Sequence, residues 1–209
     1  MNFYPSEISK NLSSVVVFYH PKYKDKEDNI RHGLEWIISC LNQFLLVLLL
    51  SYPFNLHMEA LICLASGALL KMFAGGIHFS GYFRCLLFSS FQVVLIATFS
   101  NALDKVIFVQ YILYLLICIS FYILLVNAPK LYKKKDHFTN EQKNKLKIAA
   151  LTVFLFLSIY SLFLQPSYKM CILASMLLQV YSVTKIGEIT TLSIDNWLSN
   201  ILQKRRDIL

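Results

Sequence analysis

Val106–Asn127 reads VIFVQYILYLLICISFYILLVN, without a charged side chain. At ~1.5 Å per residue, a helix of this run crosses the ~30 Å hydrocarbon layer of a bilayer. A helix satisfies its own backbone hydrogen bonds, so it is the default conformation for such a run in lipid. Five more apolar segments flank it, at about 34–52, 58–74, 85–103, 147–165 and 169–187. In chain order the second is the weakest, with Glu59 near one end and Lys71 near the other. The reading is an all-α polytopic membrane protein with about six transmembrane helices.

Composition agrees. Of 209 residues, 56% are apolar and 15% charged, against about 25% charged in a typical soluble domain. We read one membrane domain, with an N-terminal segment at 1–33, a helical core at 34–187 and a tail at 188–209. The formal charge of +8 belongs to the loops of a membrane protein rather than to a nucleic-acid surface. No basic motif with interleaved aromatics of the RNA-binding type is present. Residues 1–33 lack an early apolar stretch and a small-residue cleavage site, so the first span is expected to be retained.

Lys and Arg set the orientation. With the N-terminus inside, eighteen of them fall on the inner side and only Lys105 and Lys169 on the outer. That bias places both termini in the cytoplasm. Its largest block is Lys130 to Lys147, a basic connector that reads as a topology determinant and headgroup contact, or as a docking surface for an acidic partner. Before the first span, Ile8, Leu12, Val15 and Tyr19 recur near helical spacing. They predict an amphipathic interfacial helix over about 6–19, with Ser6 as its N-cap. Pro21 ends it, a polar linker follows to Asp28, and Asp28 or Asn29 caps the next helix near Arg31.

The chemistry lies between the second and third spans, in Gly75-Gly76-Ile77-His78-Phe79-Ser80-Gly81-Tyr82-Phe83-Arg84-Cys85. The other cysteines, Cys40, Cys63, Cys118 and Cys171, sit in apolar runs, where cysteine behaves as a small hydrophobe. No CxxC or Cys/His metal spacing occurs, so neither metal nor cofactor is expected. On one straight helix, seven residues would separate His78 from Cys85 by about 10.5 Å. A working dyad needs them near hydrogen-bond distance, so the chain must turn between them. Gly75, Gly76 and Gly81 supply that freedom.

We therefore expect His78 just past the end of the second helix and Cys85 at the start of the third. A cysteine at a helix N-terminus, beside a histidine and the cation Arg84, is set up as a nucleophile. Backbone amides of the Gly75-Gly76 turn or of the helix start are candidates to hold an oxyanion. Lys71 and Arg84 read either as residues snorkelling to the interface or as contacts to an anionic substrate. Glu35 and Glu188 belong on the same side, and no third member of the dyad is identified. A purely structural role for His78 and Cys85 is the competing reading.

The block Gly75-Gly76-Ile77-His78 followed by Cys85 resembles the AgrB family, the accessory gene regulator membrane endopeptidases of Gram-positive bacteria. Arg31-His32-Gly33-Leu34-Glu35 resembles the R-x-G-x-E block of the same family. The likeness extends to length, to six apolar segments and to the basic stretch after the fourth. Past about residue 128 it is one of hydropathy alone.

The resemblance implies a multi-pass enzyme of the cell membrane, active at the cytoplasmic face and expected as a homodimer. It implies a short pro-peptide substrate, AgrD, whose acidic C-terminal tail is removed to give a cyclic lactone or thiolactone signal. Cys85 would be the nucleophile and His78 the base. Lys71, Gly75, Gly76 and Arg84 would meet the substrate, and Phe79, Tyr82 and Phe83 would keep water from the thioester. The alternative is a non-enzymatic peptide exporter, which needs a polar path that these spans hardly offer. A membrane scaffold has no positive feature in its favour.

Overall fold

The structure, a computed structural model, describes residues 4–131 and 138–206, with side chains as far as residue 201. Lys133, Lys134 and Lys135 of the basic connector lie outside the described residues, as do the side chains of Lys204, Arg205 and Arg206. Among the described residues the chain forms eight α-helices: α1 (Pro5–Tyr19), α2 (Glu27–Ser51), α3 (His57–Ala74), α4 (Tyr82–Leu103), α5 (Ile107–Asn127), α6 (Asn140–Ser161), α7 (Pro166–Val183) and α8 (Lys185–Arg206). The apolar runs became helices and their punctuation became turns. Among the described residues five helices, α2 to α6, are long and apolar enough to cross a membrane, and the bent pair α7–α8 passes the same test only when the two are taken together as one broken span.

Local chemistry moved several boundaries. Ser6 does not cap α1: Tyr4 precedes the helix and Pro5 occupies its first turn, where a fixed φ and a missing N–H cost nothing. Asp28 and Asn29 do not cap α2, because a 3₁₀ turn at Pro21–Lys26 runs straight into a helix that begins at Glu27. The polar linker is thus helical. α6 starts before its apolar segment, through a capping box in which Gln142 N donates to Thr139 Oγ1 at 3.3 Å and Thr139 N donates to Gln142 Oε1 at 2.9 Å. The last apolar segment stops at Val183, and α8 leaves at 87° to α7. Thr184 makes that elbow, its hydroxyl accepting from Gly187 N at 3.0 Å. A Cβ on Gly187 would overlap the Tyr181 carbonyl oxygen.

α7 is the axis of the bundle and packs on α3, α4, α5 and α6. Its Leu173, Met176 and Val180 meet Leu70, Leu124 and Phe154 in one core. Ser66 and Ser175 join α3 to α7 at 2.6 Å, close enough to bring the backbones together as small residues do in membrane bundles. The outer surface carries Leu49, Phe91, Leu115, Tyr122 and Phe156, all exposed. A belt of this kind is untenable in water and ordinary against lipid. α1 lies along α2 on a buried stripe of Pro5, Ser9 and Ser13, leaving Ile8, Leu12, Val15 and Tyr19 exposed for the bilayer interface. The turns 75–81 and 128–131 and the α7–α8 elbow gather at one end of the bundle.

Candidate functional site

At that end α3 stops because Gly75 takes φ 72°, ψ −145°, a region closed to residues with a Cβ. Gly76 follows at φ 131°. Lys130 seals the break: its N–H donates to Ala74 O at 2.9 Å, and its carbonyl accepts from Gly76 N at 3.1 Å. Gln179 Nε2 donates to Gly75 O at 2.7 Å. Gly75 N still donates to Lys71 O, at 3.0 Å. Both glycine amides are therefore engaged within the protein, and the expectation that this turn supplies oxyanion donors passes to the helix start. The third glycine differs. Gly81 is extended, at φ −103° and ψ 130°, and the space above it is filled by the Arg84 guanidinium.

Six residues, 76–81, separate the bridge from the start of α4, and His78 and Cys85 face each other across the reversal. His78 Nδ1 lies 3.9 Å from Cys85 Sγ. That is the outer limit of a sulfur hydrogen bond, and a small closing motion brings it into range. Cys85 is half-buried and His78 exposed. The first amides of α4, at Tyr82, Phe83 and Arg84, have no carbonyl one turn back within the helix, and Cys85 follows them directly in the chain. Lys71, on the last turn of α3, lies within electrostatic reach of Cys85.

The aromatics of the turn and of the start of α4 pack on neighbouring rings. Phe79 packs on Phe88 with centroids 4.8 Å apart, and Phe83 packs on Tyr82 and on Tyr4 of α1. Asn42 donates to the Tyr82 hydroxyl at 2.8 Å and Gln43 to Ser89 at 3.1 Å, holding α2 against α4. Because Asn42 stands level with Tyr82, the preceding turns of α2 reach ~20 Å past the dyad, at ~1.5 Å per residue. Together with α1 they form a wall beside it.

Arg84 is tied down. Its Nη2 donates to Ser80 Oγ at 2.7 Å, and its Nε lies 3.0 Å from Asp195 Oδ1. Glu35 is 4.0 Å from His32, remote from the dyad in its contacts, while Glu188 pairs with Lys130 at 2.8 Å. An open cavity of about 510 Å³ at the same end is lined by Lys130, Lys143, Lys185 and Glu188, and it does not include the dyad. Sequence reasoning missed Gln179, Lys130 and Asp195 as supports of the turn. Each sits more than fifty residues away, and only the Gly-Gly pair signalled that something must approach closely.

The chain matches the family model Accessory gene regulator B over residues 8–183. An AgrB-like protein of Clostridium perfringens strain SM101 is 25% identical over 210 residues, covering 93% of this chain and 96% of that protein. A second AgrB-like protein, from Clostridium perfringens strain 13, is 25% identical over 196 residues, covering 85% and 90%. No solved structure matches the chain.

Proposed function

This chain belongs to the AgrB family, whose members take part in processing quorum-sensing autoinducers, and we propose that it is a membrane cysteine endopeptidase acting on an AgrD-like pro-peptide. One observation carries the proposal: His78 Nδ1 and Cys85 Sγ stand 3.9 Å apart across a chain reversal, although seven residues separate them.

In the proposed reaction His78 takes the Cys85 thiol proton, and the sulfur attacks the carbonyl that precedes the peptide's acidic tail. The C–N bond breaks, the proton passes from His78 to the leaving amine, and the peptide remains on Cys85 as a thioester. An internal cysteine or serine of the peptide then attacks that carbonyl. Its proton returns through His78 to the Cys85 sulfur, and the ring closes as a thiolactone or lactone. The first amides of α4 receive the oxyanion. Lys71 balances charge at the sulfur and attracts the tail, while Arg84, paired with Asp195, meets the substrate through the shape of the turn and not as a free cation. Gly75 and Gly76 serve the substrate through the shape of the turn. Phe79, Tyr82 and Phe83 keep water from the thioester, which favours cyclisation over hydrolysis. An amphipathic leader of the substrate would lie along the α1–α2 wall. The site faces the cytoplasm of a Gram-positive cell, and the protein acts as a homodimer.

The test is co-expression with the short peptide encoded beside the gene, followed by mass spectrometry of the peptide. Wild type should release a C-terminal fragment and carry a hydroxylamine-sensitive adduct on Cys85. His78→Ala and Cys85→Ser should leave the peptide intact. An intact peptide with the folded wild-type protein would overturn the proposal and turn attention to export of the unprocessed peptide.

A further inference from the structure

We propose that Asp195 on α8 is a positioning residue that latches the catalytic turn, an inference that rests on the peptidase reading of His78 and Cys85. One carboxylate grips the turn at two points between His78 and Cys85. Oδ2 accepts from Ser80 N at 2.8 Å, two residues after His78. Oδ1 lies 3.0 Å from Arg84 Nε, one residue before Cys85. Arg84 Nη2 closes the ring on Ser80 Oγ at 2.7 Å. The Asp195 side chain is 5% exposed and that of Arg84 19%. A carboxylate this far from water needs partners, and those it finds here belong to the segment that carries His78 and Cys85. The Arg84 Nε contact is a charge pairing rather than an aligned hydrogen bond, so the Ser80 amide supplies the directional part of the grip.

The latch can act because its own base is fixed. Lys130 holds the start of α8 twice, through Glu188 at 2.8 Å and the Thr184 carbonyl at 3.1 Å. The same Lys130 backbone pairs with Ala74 and Gly76 at the other end of the turn. Residues 75–84 are therefore spanned by a brace of Lys130, the elbow and Asp195, and the His78–Cys85 separation is set by it. The family match ends at Val183, so the half of the brace carried by α8 comes from chain beyond the matched segment.

The experiment reads the coupling between His78 and Cys85 directly, in native membranes, as the iodoacetamide alkylation rate of Cys85 with Cys40 as internal reference. In the parent protein His78→Ala should slow Cys85 alkylation about tenfold or more. In an Asp195→Ala background the same change should alter it less than about twofold, because the imidazole is no longer held at the sulfur. Asp195→Asn keeps an acceptor for Ser80 N and should fall between. Peptide cleavage by Asp195→Ala should drop ~100-fold in kcat with KM within about threefold, as for a misplaced catalytic group. A His78 effect of equal size in both backgrounds overturns the latch and leaves the peptidase reading standing. Absence of a His78 effect in the parent protein overturns the dyad, and the latch with it. If Asp195→Ala does not reach the membrane, the same comparison in Asp195→Asn decides.

Discussion

Gly75 and Gly76 look equivalent in the sequence, and the structure predicts that alanine is tolerated far less at the first. At Gly75 the backbone (φ 72°, ψ −145°) is one that only glycine adopts readily, which costs alanine roughly 1–3 kcal/mol. The new Cβ would also overlap the Lys130 carbonyl oxygen, a backbone atom held by the paired strand-like contact. Relief requires parting the Lys130 N–Ala74 O and Gly76 N–Lys130 O bonds, 2.9 and 3.1 Å long, each contributing about 0.5–1.5 kcal/mol net. The sum is about 2–6 kcal/mol, a large share of the 5–15 kcal/mol that usually holds a protein folded.

At Gly76 the φ of 131° carries similar strain, but the nearest obstacle is Ser182 Oγ at 2.7 Å, a side-chain atom that can rotate away. Gly76→Ala should therefore cost only about 1–3 kcal/mol. Ser182→Ala should recover part of that cost and none of the cost at Gly75. Reversible SDS-induced unfolding of the detergent-solubilised protein measures the difference. Equal losses at the two positions, or rescue of Gly75→Ala by Ser182→Ala, would refute the assignment of Lys130 as the obstacle.

Three further outcomes follow from the packing. Cys85→Ala should abolish peptide cleavage while leaving the unfolding midpoint within about 0.5 kcal/mol of wild type, since the thiol is only half-buried and makes no core contact. Phe154→Ala should cost about 3–5 kcal/mol in the same unfolding assay, because this ring is 1% exposed at the centre of the core. A double-mutant cycle on Ser66 and Ser175 should give a coupling of only about 0.6 kcal/mol, as each hydroxyl keeps a bond to its own helix, to Ile62 O at 2.7 Å and Ile172 O at 2.9 Å.

The spans were legible because lipid imposes a simple rule, and apolar runs of the right length obey it. The approach of His78 to Cys85 was legible because the two can meet only if the chain turns, and Gly75 and Gly76 offered the turn. What holds the turn was not legible. Asp195, Gln179 and Lys130 are ordinary polar residues whose meaning depends on α7 and α8 folding back over the α3–α4 junction, and no local pattern encodes that. The Gly81 expectation failed for a related reason, since the residue is needed for the space it leaves to Arg84 and not for its dihedral freedom. Hydropathy also cannot distinguish burial in lipid from burial in protein. It marked the sixth segment as a span like the others, whereas α7 is the axis around which they pack.

That central position bears on how the chain enters the membrane. α7 is not among the five helices apolar enough to span unaided, and it carries Lys169, Ser175, Gln179 and Ser182. A segment of this kind partitions poorly from the insertion machinery into lipid on its own. Its polar groups become affordable once α3 is there to receive them, with Ser66 opposite Ser175 and Gly75 opposite Gln179. Biogenesis should thus proceed in two stages, with the earlier helices inserting as they emerge and α7 following into a cleft they have already formed. Assembly of the end that carries His78 and Cys85 would be the last event of synthesis, and a chain interrupted before α7 would reach the bilayer without the Gln179 and Asp195 contacts that hold the turn.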